Sequence, residues 1–125
     1  MRFFDDMGTT YTQMREAFEK YLHDECTWSN QGLPEVTGKD TVLGFLRQFA
    51  DQIGLQAVGG KVLNIASRGD LVLTERHEVW TGTGGQVLVE SLPVMGTFEI
   101  KDGKILTWRD YFDPAKFAHL MGTSD

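Results

Sequence analysis

Two short stretches carry the residues able to do acid–base chemistry. "LTERHEVW", residues 73–80, sets Arg76 and Glu78 two apart, and "LTWRDYFD", residues 106–113, holds Asp110 among large apolar neighbours. Both stretches are rich in β-branched and aromatic residues and read as strands. Side chains in a strand alternate faces, so Thr74, Arg76, Glu78 and Trp80 share one side, and Leu106, Trp108, Asp110 and Phe112 share one side. If those faces line the interior, Asp110 needs a partner, because an isolated buried charge costs many kcal/mol. Arg76 supplies a guanidinium able to bridge two carboxylates bidentately. Two readings of this acid–Arg–acid set stand side by side. One is a structural charge network across neighbouring strands. The other is chemical: a carboxylate held ionised by Arg acts as base, while a desolvated one crowded by like charge keeps its proton and acts as acid. That pairing suits general acid–base chemistry on water. Trp80, Leu92, Val94, Leu106, Trp108 and Phe112 then form the wall of a pocket for a small hydrophobic molecule.

The elements that must position these residues follow from periodicity. Residues 10–22 place Tyr11, Met14, Phe18, Tyr21 and Leu22 at helical spacing, with Thr10 and Gln13 as a capping box. "DECTWSNQGLPEVTG" reads as a short strand running into a loop. A second helix starts near Thr37, buries Val42, Phe45, Leu46, Phe49 and Ile53 on one stripe, and ends at Gly54. Glycine-containing turns at "SRGD", "GTGGQ" and "KDGK" then separate four antiparallel strands near 57–67, 70–81, 86–100 and 104–112. Helices first and a long-stranded meander afterwards is an α+β pattern, with the sheet curled around the helices into a cone with a mouth. "GTGGQ" joins two strands and lacks the Lys-Ser/Thr ending, so it reads as a hairpin turn and not a phosphate loop.

Composition bounds the rest. The chain has 125 residues, 41% hydrophobic and 24% charged, as expected of one globular domain spanning 1–125. Twelve basic against eighteen acidic residues give a net charge of −6, and without a Lys/Arg run this excludes a nucleic-acid partner. "MRFFDDMGTT" is not expected to be a leader, no span has the apolar length of a membrane helix, and the lone Cys26 fits a reducing compartment. A cytoplasmic location is expected. Glu25 beside Cys26 disfavours a thiolate, so Cys26 is expected to be a structural residue. His77 lies on the face opposite Arg76 and stays outside the site, and His23 and His119 have no companion acids or cysteines at ligand spacing, which argues against a metal centre. A G-x-S-x-G nucleophile elbow is absent.

With those residues in view, "LTERHEVW" and "LPVMGTFEIKDGKILTWRDYFD" resemble the limonene-1,2-epoxide hydrolase family, and "WSNQGLPEVTGKD" extends the likeness through residues 28–40. The resemblance implies the cone-shaped fold shared with nuclear transport factor 2, ketosteroid isomerase and SnoaL-type polyketide cyclases. It implies that Asp110 is the base on a water that opens an epoxide without a covalent intermediate, that Arg76 bridges the two acids, and that Glu78 protonates the epoxide oxygen. It also implies that Asn30 helps hold the water, with Trp28 standing where the family has Tyr. Neither a cofactor nor a metal is implied, and a homodimer is. Two departures are visible. Glu78 is one methylene longer than the family's Asp, and Trp28 offers a donor only. On the residues alone, Trp28 and Asn30 read equally well as an aromatic core plug followed by a turn Asn.

Three functions fit this pattern: a cofactor-independent epoxide hydrolase giving a vicinal diol, an isomerase or cyclase using Asp110 as base, and a non-catalytic small-molecule-binding dimer. The dimer surface is expected on the outer face of the sheet, at His77, Val79 and Tyr111.

Overall fold

The computed structural model of the chain describes residues 2–8 and 10–121. A short helix, α1 (Arg2–Asp6), which periodicity does not announce, precedes α2 (Tyr11–Tyr21). The Thr10 hydroxyl caps α2 by accepting from the Gln13 backbone N–H and donating to the Gln13 side chain. Met14, Ala17 and Phe18 form its buried stripe. Leu22 does not extend this helix, because the backbone turns extended there and enters β1 (Leu22–Asn30).

After the two-residue β2 (Val36–Thr37), α3 spans Lys39–Ile53. Its N-cap is Gly38, which brings no side-chain hydrogen bond, and its C-cap is Gly54 in the left-handed region at φ 70°. Val42, Leu43, Leu46, Ala50 and Ile53 are its buried residues, while Phe45 and Phe49 are only half buried. The four long strands lie close to the predicted positions: β3 (Leu55–Arg68), β4 (Leu71–Gly82), β5 (Val87–Lys101) and β6 (Lys104–Tyr111). Two 3-10 turns, Pro114–Lys116 and Ala118–Met121, complete the described chain. Among the described residues no helix is long and apolar enough to cross a membrane.

The sheet has six strands in the order β2-β1-β6-β5-β4-β3. Strands β3 to β6 pair antiparallel as consecutive neighbours. The meander is therefore as expected, but β1 is a full member of the sheet and not a short piece leading into a loop. It runs parallel to β6, with Trp28 opposite Trp108 and Asn30 opposite Asp110. The α+β architecture is thus a curled, unclosed sheet whose inner face packs on α2 and α3.

An aromatic cluster fills the enclosed space. The Trp108 ring lies 5.1–5.4 Å from those of Phe3, Phe18, Trp28 and Phe98, edge-on to Phe3 and Phe18 and stacked on Trp28 and Phe98. Phe98 is fully buried. Truncating it opens a cavity between stacked rings, so Phe98→Ala is expected to lower unfolding stability by about 3–5 kcal/mol, measured as the loss in a urea titration.

Candidate active site

The pleat of β4 turns Thr74, Arg76, Glu78 and Trp80 inward, as alternation predicts. Thr74, Arg76 and Trp80 are 1%, 3% and 7% exposed, and the Glu78 side chain is 17% exposed. On β6 the same rule brings Trp108 and Asp110 inward at 3% and 6%. It fails at Leu106. The pairing of β5 with β6 shifts between Glu99 and Ile100, so that Ile100 faces Ile105 and Leu106 sits in a bulge. Ile105 takes the buried position, and Leu106 is half exposed and off the pocket wall.

Arg76 is the hub. Its Nη1 donates to Asp110 Oδ1 at 3.0 Å and its Nη2 to Asp110 Oδ2 at 2.7 Å, a bidentate pair. Nη2 also donates to Glu78 Oε2 at 3.0 Å, so one guanidinium bridges both acids. Its flat face lies 4.6 Å from the centre of the Phe4 ring, a cation–π contact. Each carboxylate has an indole as a further donor: Trp108 Nε1 to Asp110 Oδ1 at 2.8 Å, and Trp80 Nε1 to Glu78 Oε1 at 3.1 Å.

The charges respond to this setting. Burial works against the Arg76 cation, but Asp110 and Glu78 outweigh it and its pKa is raised, so it stays charged. Burial pushes the Glu78 carboxyl above its usual range, the neighbouring Asp110 pushes the same way, and Arg76 and the Trp80 N–H only partly offset them. The protonated form of Glu78 is thereby favoured relative to that of a free glutamate.

These residues face a narrow, largely apolar pocket of about 70 Å³. Glu78, Asp110, Trp28, Asn30, Trp80, Leu92, Val94, Trp108 and Phe112 border it together with Phe45 and Phe49. Trp28 has its indole N–H buried without a partner. Parallel pairing of β1 with β6 brings Asn30 alongside Asp110. Cys26 is buried, and burial raises its pKa, so it is a structural thiol. His77 turns its ring to Ser91 Oγ at 2.7 Å on the outer face. Among the described residues no three His, Cys, Asp or Glu side chains are grouped to hold a metal ion.

Two supporting residues escape a motif search. Thr74 Oγ1 accepts from Arg76 Nη1 at 3.1 Å. Gly96, opposite Thr74 on β5, leaves the floor on which the ion pair lies: a Cβ there would come 2.4 Å from Arg76 Nη1 and 2.6 Å from Asp110 Oδ1. The available signal is positional, since a glycine inside an otherwise strong strand often marks a close approach.

Comparison with known proteins bears on this arrangement. A family model described as the limonene-1,2-epoxide hydrolase catalytic domain matches residues 7–121. The epoxide hydrolase EphG of Mycobacterium tuberculosis is 34% identical over 98 residues, which is 78% of this chain and 62% of that protein. The chain thus spans less than two thirds of that curated relative. The solved structure of an LEH-like epoxide hydrolase from M. tuberculosis superposes with a TM-score of 0.73 at 26% identity, over 96% of this chain and 86% of that one. A SnoaL-like protein from Jannaschia sp. CCS1 superposes with a TM-score of 0.77 at 17% identity, over 99% and 89% of the two chains. An NTF2-like protein of unknown function from Burkholderia pseudomallei gives 0.74 at 15%, over 90% and 88%. The last two show the fold alone.

Gly96→Ala forces the Arg76–Asp110 pair apart and is expected to cost about 1–3 kcal/mol, the range for overpacking. Gly44→Ala, in α3 with open space around it, is expected to stabilise by roughly 0.5–1 kcal/mol. Parallel urea titrations check both.

Proposed function

Because the chain belongs to the limonene-1,2-epoxide hydrolase family, we propose that it is a cofactor-independent epoxide hydrolase that adds water to a small hydrophobic epoxide and releases a vicinal diol. The observation that carries this reading is the Arg76 bridge between two carboxyl groups in unlike environments. Asp110 accepts from Arg76 and from Trp108 and faces the pocket beside Asn30. Glu78 is driven toward its protonated form.

The reaction is a single step. Water held between Asp110, the Asn30 side chain and the unpartnered Trp28 N–H attacks one epoxide carbon while the carbon–oxygen bond on that carbon breaks. The water's proton goes to Asp110, and the Glu78 proton goes to the departing oxygen. Arg76 stays charged and holds both carboxyl groups in place. The aromatic wall excludes bulk water and, at its small volume, favours a compact substrate. The longer arm of Glu78 is accommodated here, since it still reaches Arg76 and is fixed by Trp80.

The protein is read as a homodimer through the outer face of the sheet. Met95 and Tyr111, opposite one another on β5 and β6, are 54% and 52% exposed there. Light scattering is expected to give twice the chain mass, and a clean monomer would overturn that reading.

The test of the reaction is turnover of terpene, styrene and cyclohexene epoxides in oxygen-labelled water. One label per diol is expected. Asp110→Asn and Glu78→Gln should each lower kcat/KM by about 10²–10⁴-fold with the fold retained. Because the protonated form of Glu78 does the work and its pKa is raised, the rate should fall as pH rises through that pKa. Glu78→Gln should erase that limb of the profile. Diol formation that persists unchanged in Asp110→Asn, or product without solvent oxygen, would remove the basis of this function.

A further inference from the structure

A second cavity, of about 310 Å³, lies behind the charge set. It is bounded by α1 through Phe4 and Asp5, by β3 through Gly60, Lys61 and Val62, and by Arg76 and Glu78 of β4. Of the two carboxyl groups that Arg76 holds, Glu78 borders both this cavity and the aromatic pocket, whereas Asp110 borders the aromatic pocket alone. Gly60 pairs with Glu78 across β3 and β4 and borders the cavity; at φ +130° it accepts no side chain, since a Cβ would run into the β4 backbone, 1.9 Å from the His77 carbonyl oxygen. β3 is the edge strand, and Asp5, Gly60 and Lys61 at the rim are exposed, so the cavity reaches solvent without passing through the aromatic pocket.

We propose that this rear cavity is a water-filled proton entry that recharges Glu78 after each turnover. The inference rests on the reaction read above. One cycle leaves Glu78 without its proton and Asp110 with the water's, and the diol is neutral. Reset requires Asp110 to lose one proton and Glu78 to gain one. Arg76, fully charged between them, does not relay a proton, and product fills the apolar pocket in front. Water in the rear cavity delivers a proton from solvent to Glu78, while Asp110 discharges through the mouth once the diol has left. The charged groups around the route are Asp5 and Lys61 at the rim and Arg76 at its inner end. His77 also borders the cavity, with its ring nitrogen hydrogen-bonded to Ser91 Oγ.

Val62, which pairs with Arg76 and borders the rear cavity without touching the aromatic pocket, offers the means to close it. Val62→Leu and Val62→Phe fill the space in two steps. Rapid-quench measurement of the first turnover and steady-state turnover of the same epoxide are compared in weak and concentrated acetate buffer. The expected result is a first turnover within about twofold of the unmodified protein and a steady-state rate lowered about tenfold in Val62→Phe, less in Val62→Leu, and restored by acetic acid as a small proton donor. First turnover and steady state falling together, or neither falling, would overturn the proton entry while leaving the hydrolase reading intact. No first-turnover diol in the unmodified protein from any epoxide would instead sink the hydrolase reading, and this inference with it.

Discussion

The buried pair between Arg76 and Asp110 sets the terms for the rest of the molecule. A guanidinium and a carboxylate at 3% and 6% exposure are stable only if nearly every polar atom is satisfied, and removing one partner of such a pair costs about 3–5 kcal/mol. The sheet meets most of this demand with a bidentate contact, a threonine hydroxyl, an indole N–H and a glycine floor, and leaves the buried Arg76 Nε–H without a partner. The guanidinium then has surplus donors, and these hold Glu78 as well. Fixing one acid tightly and the other through a single shared nitrogen separates their environments. The same arrangement that makes the interior stable makes its two acids unequal.

Tryptophan has two functions here. Trp80 and Trp108 use their nitrogens on carboxylates and their rings on the core, where Trp108 packs against five other aromatic rings. An indole is apolar over most of its surface and polar at one point, so it packs against phenylalanine while presenting a donor to a charge. Trp28 stacks on Trp108 in the same way, but its N–H is left for whatever occupies the pocket. Position in the strand decides which use applies. Trp80 and Trp108 each sit two residues from an acid on the same face, and Trp28 sits two residues from Asn30.

Strict alternation on β4 was enough to read Thr74, Arg76, Glu78 and Trp80 as one inward face, and the turn residues located the three hairpins of the β3–β6 meander. What alternation misses is a change of phase. The bulge at Leu106 adds one residue to β6, so Ile105 and Trp108 both face inward although they are three positions apart, and no period-2 pattern marks that. The place of β1 was illegible for another reason. Parallel pairing between Trp28 and Trp108 is a contact between distant parts of the chain, stabilised by stacking that neither segment displays alone. Gly60 and Gly96 read as strand weaknesses by propensity. In the folded sheet one lets β3 lie close against the β4 backbone at His77 and the other leaves the space that the ion pair occupies. The helix α1 lacks a periodic signature because it is barely more than one turn, held by Phe3 in the aromatic cluster.

The parallel seam between β1 and β6 also governs the order in which the protein is made. β3, β4 and β5 form hairpins through local contacts and need nothing that is still to be synthesised, whereas β1 emerges early and waits for nearly the whole chain before its partner exists. Until then β1 has one edge unpaired and the sheet stays open on that side, a condition in which nascent chains aggregate or recruit chaperones. Closing so long a loop is entropically slow. Asn30 and Trp28 come alongside Asp110 only when β1 and β6 pair, so the pocket is completed last. A truncated or stalled chain would carry Arg76 and Glu78 on a nearly finished meander and still lack the pocket's β1 wall.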